Sequence, residues 1–174
     1  MTIKNVLIIT ASNGQNLNLA KRFIEASNKI NIQSELIDLT TIDLPLYNPR
    51  KHESEGIPAC TVSLNQQMKS ASHWIICAPE YNGSIPPVLT SAIAWLSVQE
   101  EDFRSLFNGR PIAMASFSGG GGMELLLSLR IQLTHLGAQV VGKQLASNYK
   151  KPPTDESIND LLHRLMQMKP LKLD

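Results

Sequence analysis

The segment that most constrains the fold is Ala78-Pro79-Glu80-Tyr81-Asn82-Gly83-Ser84-Ile85-Pro86-Pro87. An apolar run, His73-Trp74-Ile75-Ile76-Cys77, precedes it, and the stripe Val88, Leu89, Ala92, Ile93 and Leu96 follows it. A short apolar run bounded by turn residues reads as a buried strand, and apolar positions three and four apart read as a helix. The segment is therefore a strand-to-helix turn. Its prolines hold the backbone, and Gly83 admits a conformation that other residues resist. Tyr81 and Asn82 set an aromatic face beside an amide in the middle of it. In an α/β sheet such a turn lies at the carboxyl end of a strand, where ligands bind.

The same unit recurs along the chain. Val6-Leu7-Ile8-Ile9 is a continuous, partly β-branched run, the mark of a strand buried on both faces of a parallel sheet. A small polar stretch centred on Gly14 follows, then a helical face of Leu17, Ala20, Phe23, Ile24 and Ser27, then a strand over 34–39. Residues 40–60 carry Pro45, Pro49 and Pro58 with little periodicity and read as a long surface loop. A short helix is predicted over 63–71, the third strand over 73–77 and the next helix over roughly 87–98. Asn108-Gly109-Arg110-Pro111 is a turn signal before a fourth strand at 112–117. Ser118-Gly119-Gly120-Gly121-Gly122 follows at once, then a helix marked by Leu125, Leu126, Leu129, Leu133 and Leu136 that stops at Gly137, a good C′ residue. A fifth strand opens over 138–142 and extends toward Leu145; a last helix starts after Thr154 and carries Ile158, Leu161, Leu162, Leu165 and Met168.

Five strands alternating with helices, without repeat or dividing linker, predict one domain over residues 1–174, an α/β three-layer sandwich. Five strands favour the flavodoxin-like parallel order 2-1-3-4-5 over the six-strand dinucleotide order. A formal net charge of +1 provides no field for nucleic acid or an anionic membrane. The apolar run near the N-terminus ends at Thr10, too short for a signal peptide core, and no stretch is long enough for a membrane helix. A cytoplasmic location is the expectation. Cys60 and Cys77 make no disulfide framework, and Cys77 reads as an inert core thiol.

Three loops fall at the predicted carboxyl ends of strands one, three and four. The first, residues 10–18, combines a helix N-terminus with Ser12, Asn13, Gln15, Asn16 and Asn18 and contains no Lys or Arg. Neutral donors and a helix dipole suit a monophosphate, and there is neither GxxxxGK[ST] nor GxGxxG. An ordinary loop capped by Asn16 is the alternative. The second, residues 79–86, offers Tyr81 as a flat wall and Asn82, Gly83 and Ser84 as polar contacts, or is only a stiffened turn. The third, residues 116–122, has four consecutive glycines opening a helix, which suits close approach of a ligand to backbone, with Ser116 and Ser118 as candidate donors; a flexible turn is the alternative.

Pro79-Glu80-Tyr81-Asn82-Gly83-Ser84-Ile85-Pro86 with Ala92, Ile93 and Trp95 resembles the hallmark turn of the NAD(P)H-dependent FMN reductase family. So does Ser118-Gly119-Gly120-Gly121-Gly122 followed by Leu129-Arg130 and Leu136-Gly137-Ala138, and the likeness runs from Val6 to about Leu145. The resemblance implies bound FMN, two-electron transfer from NADPH or NADH to flavin, quinone or related small acceptors, and a homodimer or homotetramer. It assigns the FMN phosphate to Ser12, Gln15, Asn16, Leu17 and Asn18, and the ring to Pro79, Glu80, Tyr81, Asn82 and Gly83. Ser116, Ser118, Gly119, Gly120 and Gly121 would flank the ring. No side chain is assigned a catalytic role, since the cofactor carries the chemistry. The first loop lacks the arginine usual in the family, and its spacing is nearer that of flavodoxins, whose electron-carrier role is the competing function.

Other groups read as structural. The four histidines are scattered without ligand spacing, and no metal site is predicted. His73 and His135 read as structural, Arg130 as a solvated or interface residue, and Trp95 as either interface or core.

Overall fold

A computed structural model of the chain describes residues 5–171. Its elements are β1 (Asn5–Thr10), α1 (Gln15–Lys29), β2 (Gln33–Asp38), a 3-10 turn (Leu39–Thr41), α2 (Pro49–Glu55), α3 (Ala59–Ser70) and β3 (His73–Cys77). They continue with α4 (Pro87–Ser97), β4 (Pro111–Phe117), α5 (Met123–His135), β5 (Gln139–Val140), β6 (Leu145–Ser147) and α6 (Asp155–Gln167). Every strand pairing is parallel, and the order is β2-β1-β3-β4-β5, as the alternation of elements predicts.

Period-two alternation divides each central strand between two cores. Leu7, Ile9, Trp74, Ile76, Ile112 and Met114 face α3, α4 and α5. Val6, Ile8, Ile75, Cys77, Ala113 and Ala115 face α1 and α6. This is the three-layer sandwich. Its carboxyl edge collects the loops after β1, β3 and β4.

The fifth strand differs from its sequence reading. Two short strands take the place of one: β5 pairs with the start of β4 (Pro111, Ile112) and β6 with its end (Ala115–Phe117). The chain leaves the sheet between them near Gly142. Arg130 fills the break, its guanidinium donating to the carbonyls of Val141 (2.9 Å) and Gly142 (3.4 Å) and to Gln144 Oε1 (3.2 Å). Arg130 is thus a half-buried brace between α5 and the 141–144 segment, where the sequence suggested a solvated or interface residue.

The 40–60 segment is also more ordered than a plain loop. Asn48 caps α2 by accepting from the Arg50 N–H, with Pro49 in the first turn, a start signal present in the sequence but masked by poor periodicity. The strap before it is pinned to α4. Trp95 Nε1 donates to Pro45 O (2.8 Å), Ser91 Oγ donates to the same carbonyl (3.0 Å) and accepts from the Tyr47 N–H (2.9 Å). Trp95 is 1% exposed and packs edge-on against Tyr47, so it belongs to this chain's own packing. His73, also buried, sits between Ser72 Oγ (2.8 Å) and Met168 O (3.0 Å), a structural role as read.

Candidate functional site at the carboxyl edge of the sheet

Loop one joins β1 to α1. Thr10 Oγ1 donates to Ser12 O (2.9 Å), turning the chain immediately after the strand and leaving Ser12 mostly buried. Gly14 is the N-cap of α1, and no side chain caps that helix. The N–H groups of its first turn are therefore available to an anion, with the helix dipole aiding. Gln15 and Asn18 are exposed beside them, with Leu17 half-buried. Asn16 is different. It is 2% exposed, and its amide binds the backbone of Phe117 at both ends: Nδ2 donates to Phe117 O (2.9 Å) and Oδ1 accepts from Phe117 N (2.8 Å).

Loop two joins β3 to α4. Tyr81 and Ser84 exchange backbone hydrogen bonds of 3.1 and 3.0 Å across Asn82 and Gly83. Asn82 (φ 52) and Gly83 (φ 68) both lie in the left-handed region. Positive φ at both central residues is the pattern of a type I′ turn, for which Asn-Gly is the favoured pair. The sequence signal was there to be read as a miniature hairpin. The turn projects Tyr81, 50% exposed, from the carboxyl edge, while Pro79 stays buried behind it.

Loop three joins β4 to α5. Its serines are internal scaffolding: Ser116 and Ser118 hydroxyls lie 2.9 Å apart, and Ser118 Oγ accepts the Glu80 N–H (2.7 Å). Glu80 returns the tie, its Oε2 accepting from the Leu125 N–H (3.4 Å) in the first turn of α5. Gly122 (φ 75) shows why glycine is needed, because a Cβ there would lie 2.4 Å from Ser116 Oγ. Gly119 is open, with nothing within 4 Å of an added Cβ, and the N–H groups of Gly119 and Gly120 have no protein partner among the described residues. Loops two and three are thus tied together, leaving a short run of bare backbone beside the Tyr81 turn.

A fourth loop, 148–154, was not singled out from sequence. Asn148 Oδ1 accepts from the N–H groups of Lys150 (2.9 Å) and Lys151 (2.7 Å), and Tyr149 stands edge-on to Phe117 at 5.0 Å between centroids. Asn148 Nδ2 comes within 3.8 Å of the position a Gly121 Cβ would take. The Asn-Tyr-Lys-Lys-Pro-Pro turn composition was the available signal.

The donor set fits a phosphorylated planar group: uncapped helix N–H groups at one end, bare glycine backbone and an exposed aromatic turn at the other. Residues 4–151 match the NADPH-dependent FMN reductase family. The chain belongs to that family.

Among curated relatives, a quinone reductase of Escherichia coli K12 is 34% identical over 124 residues, covering 67% of this chain and 64% of the relative. An NADPH azoreductase of a Bacillus species is 30% identical over 115 residues, 65% of this chain and 60% of the relative. The chain therefore spans somewhat under two thirds of the length of these relatives. Among solved structures, the flavoenzyme NAD(P)H:(acceptor) oxidoreductase FerB of Paracoccus denitrificans superposes with a TM-score of 0.74 at 19% identity, covering 96% of this chain and 100% of FerB. That likeness shows the flavodoxin-like fold of this FMN reductase family member. Among the described residues, no group of three or more His, Cys, Asp and Glu side chains is placed to hold a metal. No helix among them is long and apolar enough to cross a membrane.

Proposed function

We propose that the protein is a reductase that holds FMN at the carboxyl edge of its sheet, takes reducing equivalents from NADPH or NADH and passes them to flavin, quinone or related small acceptors. The observation that carries the reading is the pairing, on one edge, of the uncapped α1 N-terminus with the unpartnered Gly119 and Gly120 N–H groups next to the Tyr81–Gly83 turn, in a member of this family. When bound, FMN supplies the redox chemistry, taking two electrons from reduced nicotinamide and releasing them to the acceptor.

The chain's own part is to bind and orient. The first-turn N–H groups of α1, with Ser12, Gln15 and Asn18, hold the phosphate. Gly119 and Gly120 N–H groups face the ring system without side chains between. Donors aimed at a ring that gains negative charge stabilise its reduced form, because they are already in place and need no reorganisation. Tyr81 supplies a wall on the turn. No acid–base side chain is needed.

The unit acts as a single domain in the cytoplasm and assembles as a homodimer or homotetramer. Supporting assembly, Met123 (49% exposed), Leu127 (52%) and Ile131 (71%) form an apolar stripe on successive turns of α5, which starts at the glycine run. Mass measurement by light scattering tests this: a dimer or tetramer is expected, with Leu127→Glu plus Ile131→Glu lowering the mass.

Activity is tested by steady-state oxidation of NADPH and of NADH by the FMN-saturated protein, with a quinone or free FMN as acceptor. Turnover well above that of free FMN is expected. Tight FMN binding without turnover would instead favour an electron carrier.

A further inference from the structure

The buried side chain that this site leaves unexplained is Asn16. Its place on loop one suggests a phosphate ligand, yet its amide is used up elsewhere. The reason lies in how β4 ends. The last rung between β3 and β4 is the Ala78 N–H donating to Ala115 O (3.1 Å), after which loop two leaves the sheet. Residues two apart on a strand point their backbone groups to the same edge. Phe117 therefore turns its N–H and C=O toward a neighbour that has departed. On the opposite edge Ser118 N donates to Ser147 O (3.0 Å), in step with that alternation.

Buried backbone groups need partners, and a primary amide carries one donor end and one acceptor end. Asn16 supplies both, from 101 residues away, at 2.9 and 2.8 Å. It stands in for the missing strand residue. What it fixes is the entry to loop three. Phe117 is followed directly by Ser118, whose hydroxyl holds Glu80, and then by the open glycines. The far end of the run is held by Gly122 packed on Ser116. The near end is held by Asn16.

We propose that Asn16 is a positioning residue for the ring-binding end of the site, acting through Phe117, and is not a ligand of the phosphate. It sits on the phosphate loop but sets the aim of the Gly119 and Gly120 N–H groups. This rests on the flavin reading above, and it can fail while that reading stands.

The test compares FMN with riboflavin, which lacks the phosphate, on the wild type, Asn16→Ala and Asn16→Ser, by flavin titration below the melting temperature of each protein. Serine is short of Phe117 but can still donate to a phosphate. Both variants are expected to lose about tenfold in affinity for FMN and for riboflavin alike, with the preference between the two flavins unchanged. Loss of FMN affinity alone, or rescue of FMN by serine, would make Asn16 a phosphate ligand and overturn the proposal. Lowered melting temperature with both affinities intact would reduce it to a structural brace and overturn it too. Hydrogen exchange on the flavin-free proteins gives a second readout: in Asn16→Ser the Phe117 amide is expected to lose protection together with that of Gly121, which donates to Ser118 O (2.9 Å), while β1 and β3 keep theirs. If the wild type binds neither flavin, the flavin reading falls, and the ring-positioning role with it. Unchanged protection of Phe117 in the variant sinks the clamp whatever the flavin result.

Discussion

At Gly122, φ is 75° and a methyl group would collide with Ser116 Oγ. Gly83 has a similar φ of 68° but open space around it. Alanine at Gly122 is expected to destabilise the fold by about 3 kcal/mol, combining left-handed strain with the clash, and alanine at Gly83 by about 1 kcal/mol from strain alone. Urea denaturation of the two variants checks the difference. The cysteines offer a second contrast. Burial pushes the Cys77 thiol far above its ordinary value, while Cys60 is only partly buried. A thiol reagent is expected to modify Cys60 in the native protein and Cys77 only after unfolding. At this scale the sequence was informative about which residue types gather in each loop, as with Asn82-Gly83 at the turn. It could not orient Asn16 or Ser118, because their partners Phe117 and Glu80 lie far along the chain or in another loop.

Among the elements, α6 shows how an end can be anticipated. Thr154 was read as its N-cap, and it forms a capping box with Ser157. What sequence did not show is that Arg22 reaches across from α1 to Asp155 (2.6 Å) and to Pro153 O (2.7 Å). Hydrogen bonding from Arg22 lowers the pKa of Asp155, and hydrogen bonds from Lys143 and Arg164 lower that of Asp160. A carboxylate whose folded pKa is depressed contributes fully above its unfolded value, about 3.9, and loses that contribution as pH falls through the lower folded value. The melting temperature is expected to fall below about pH 4, and Arg22→Gln to flatten part of that acid limb. The strap at 45–47 gives another prediction. Trp95→Phe removes the indole donor to Pro45 O, and is expected to cost about 1–2 kcal/mol and to speed proteolysis within 45–58. Helix α2 and the broken fifth strand escaped the periodicity argument because seven residues and two or three residues are too short to carry a period.

For the molecule as a whole, the order of the central strands was legible because each buried run is followed at once by its small, polar or glycine-rich turn. Parallel strands joined by right-handed crossovers leave few ways to arrange five such units. The carboxyl-edge position of the three loops follows from that order alone. Their mutual ties do not: the Glu80–Ser118 and Asn16–Phe117 contacts join segments that no local pattern relates. Nor did composition mark the 148–154 loop as a neighbour of the glycine run. The central claim is that one phosphorylated ring system spans these loops. The direct measurement is a calorimetric titration of the flavin-free protein with FMN. Saturation at one FMN per chain, with riboflavin binding more weakly because it cannot reach the α1 N-terminus, is the expected result. An absence of FMN binding by a protein that melts cooperatively would contradict the account.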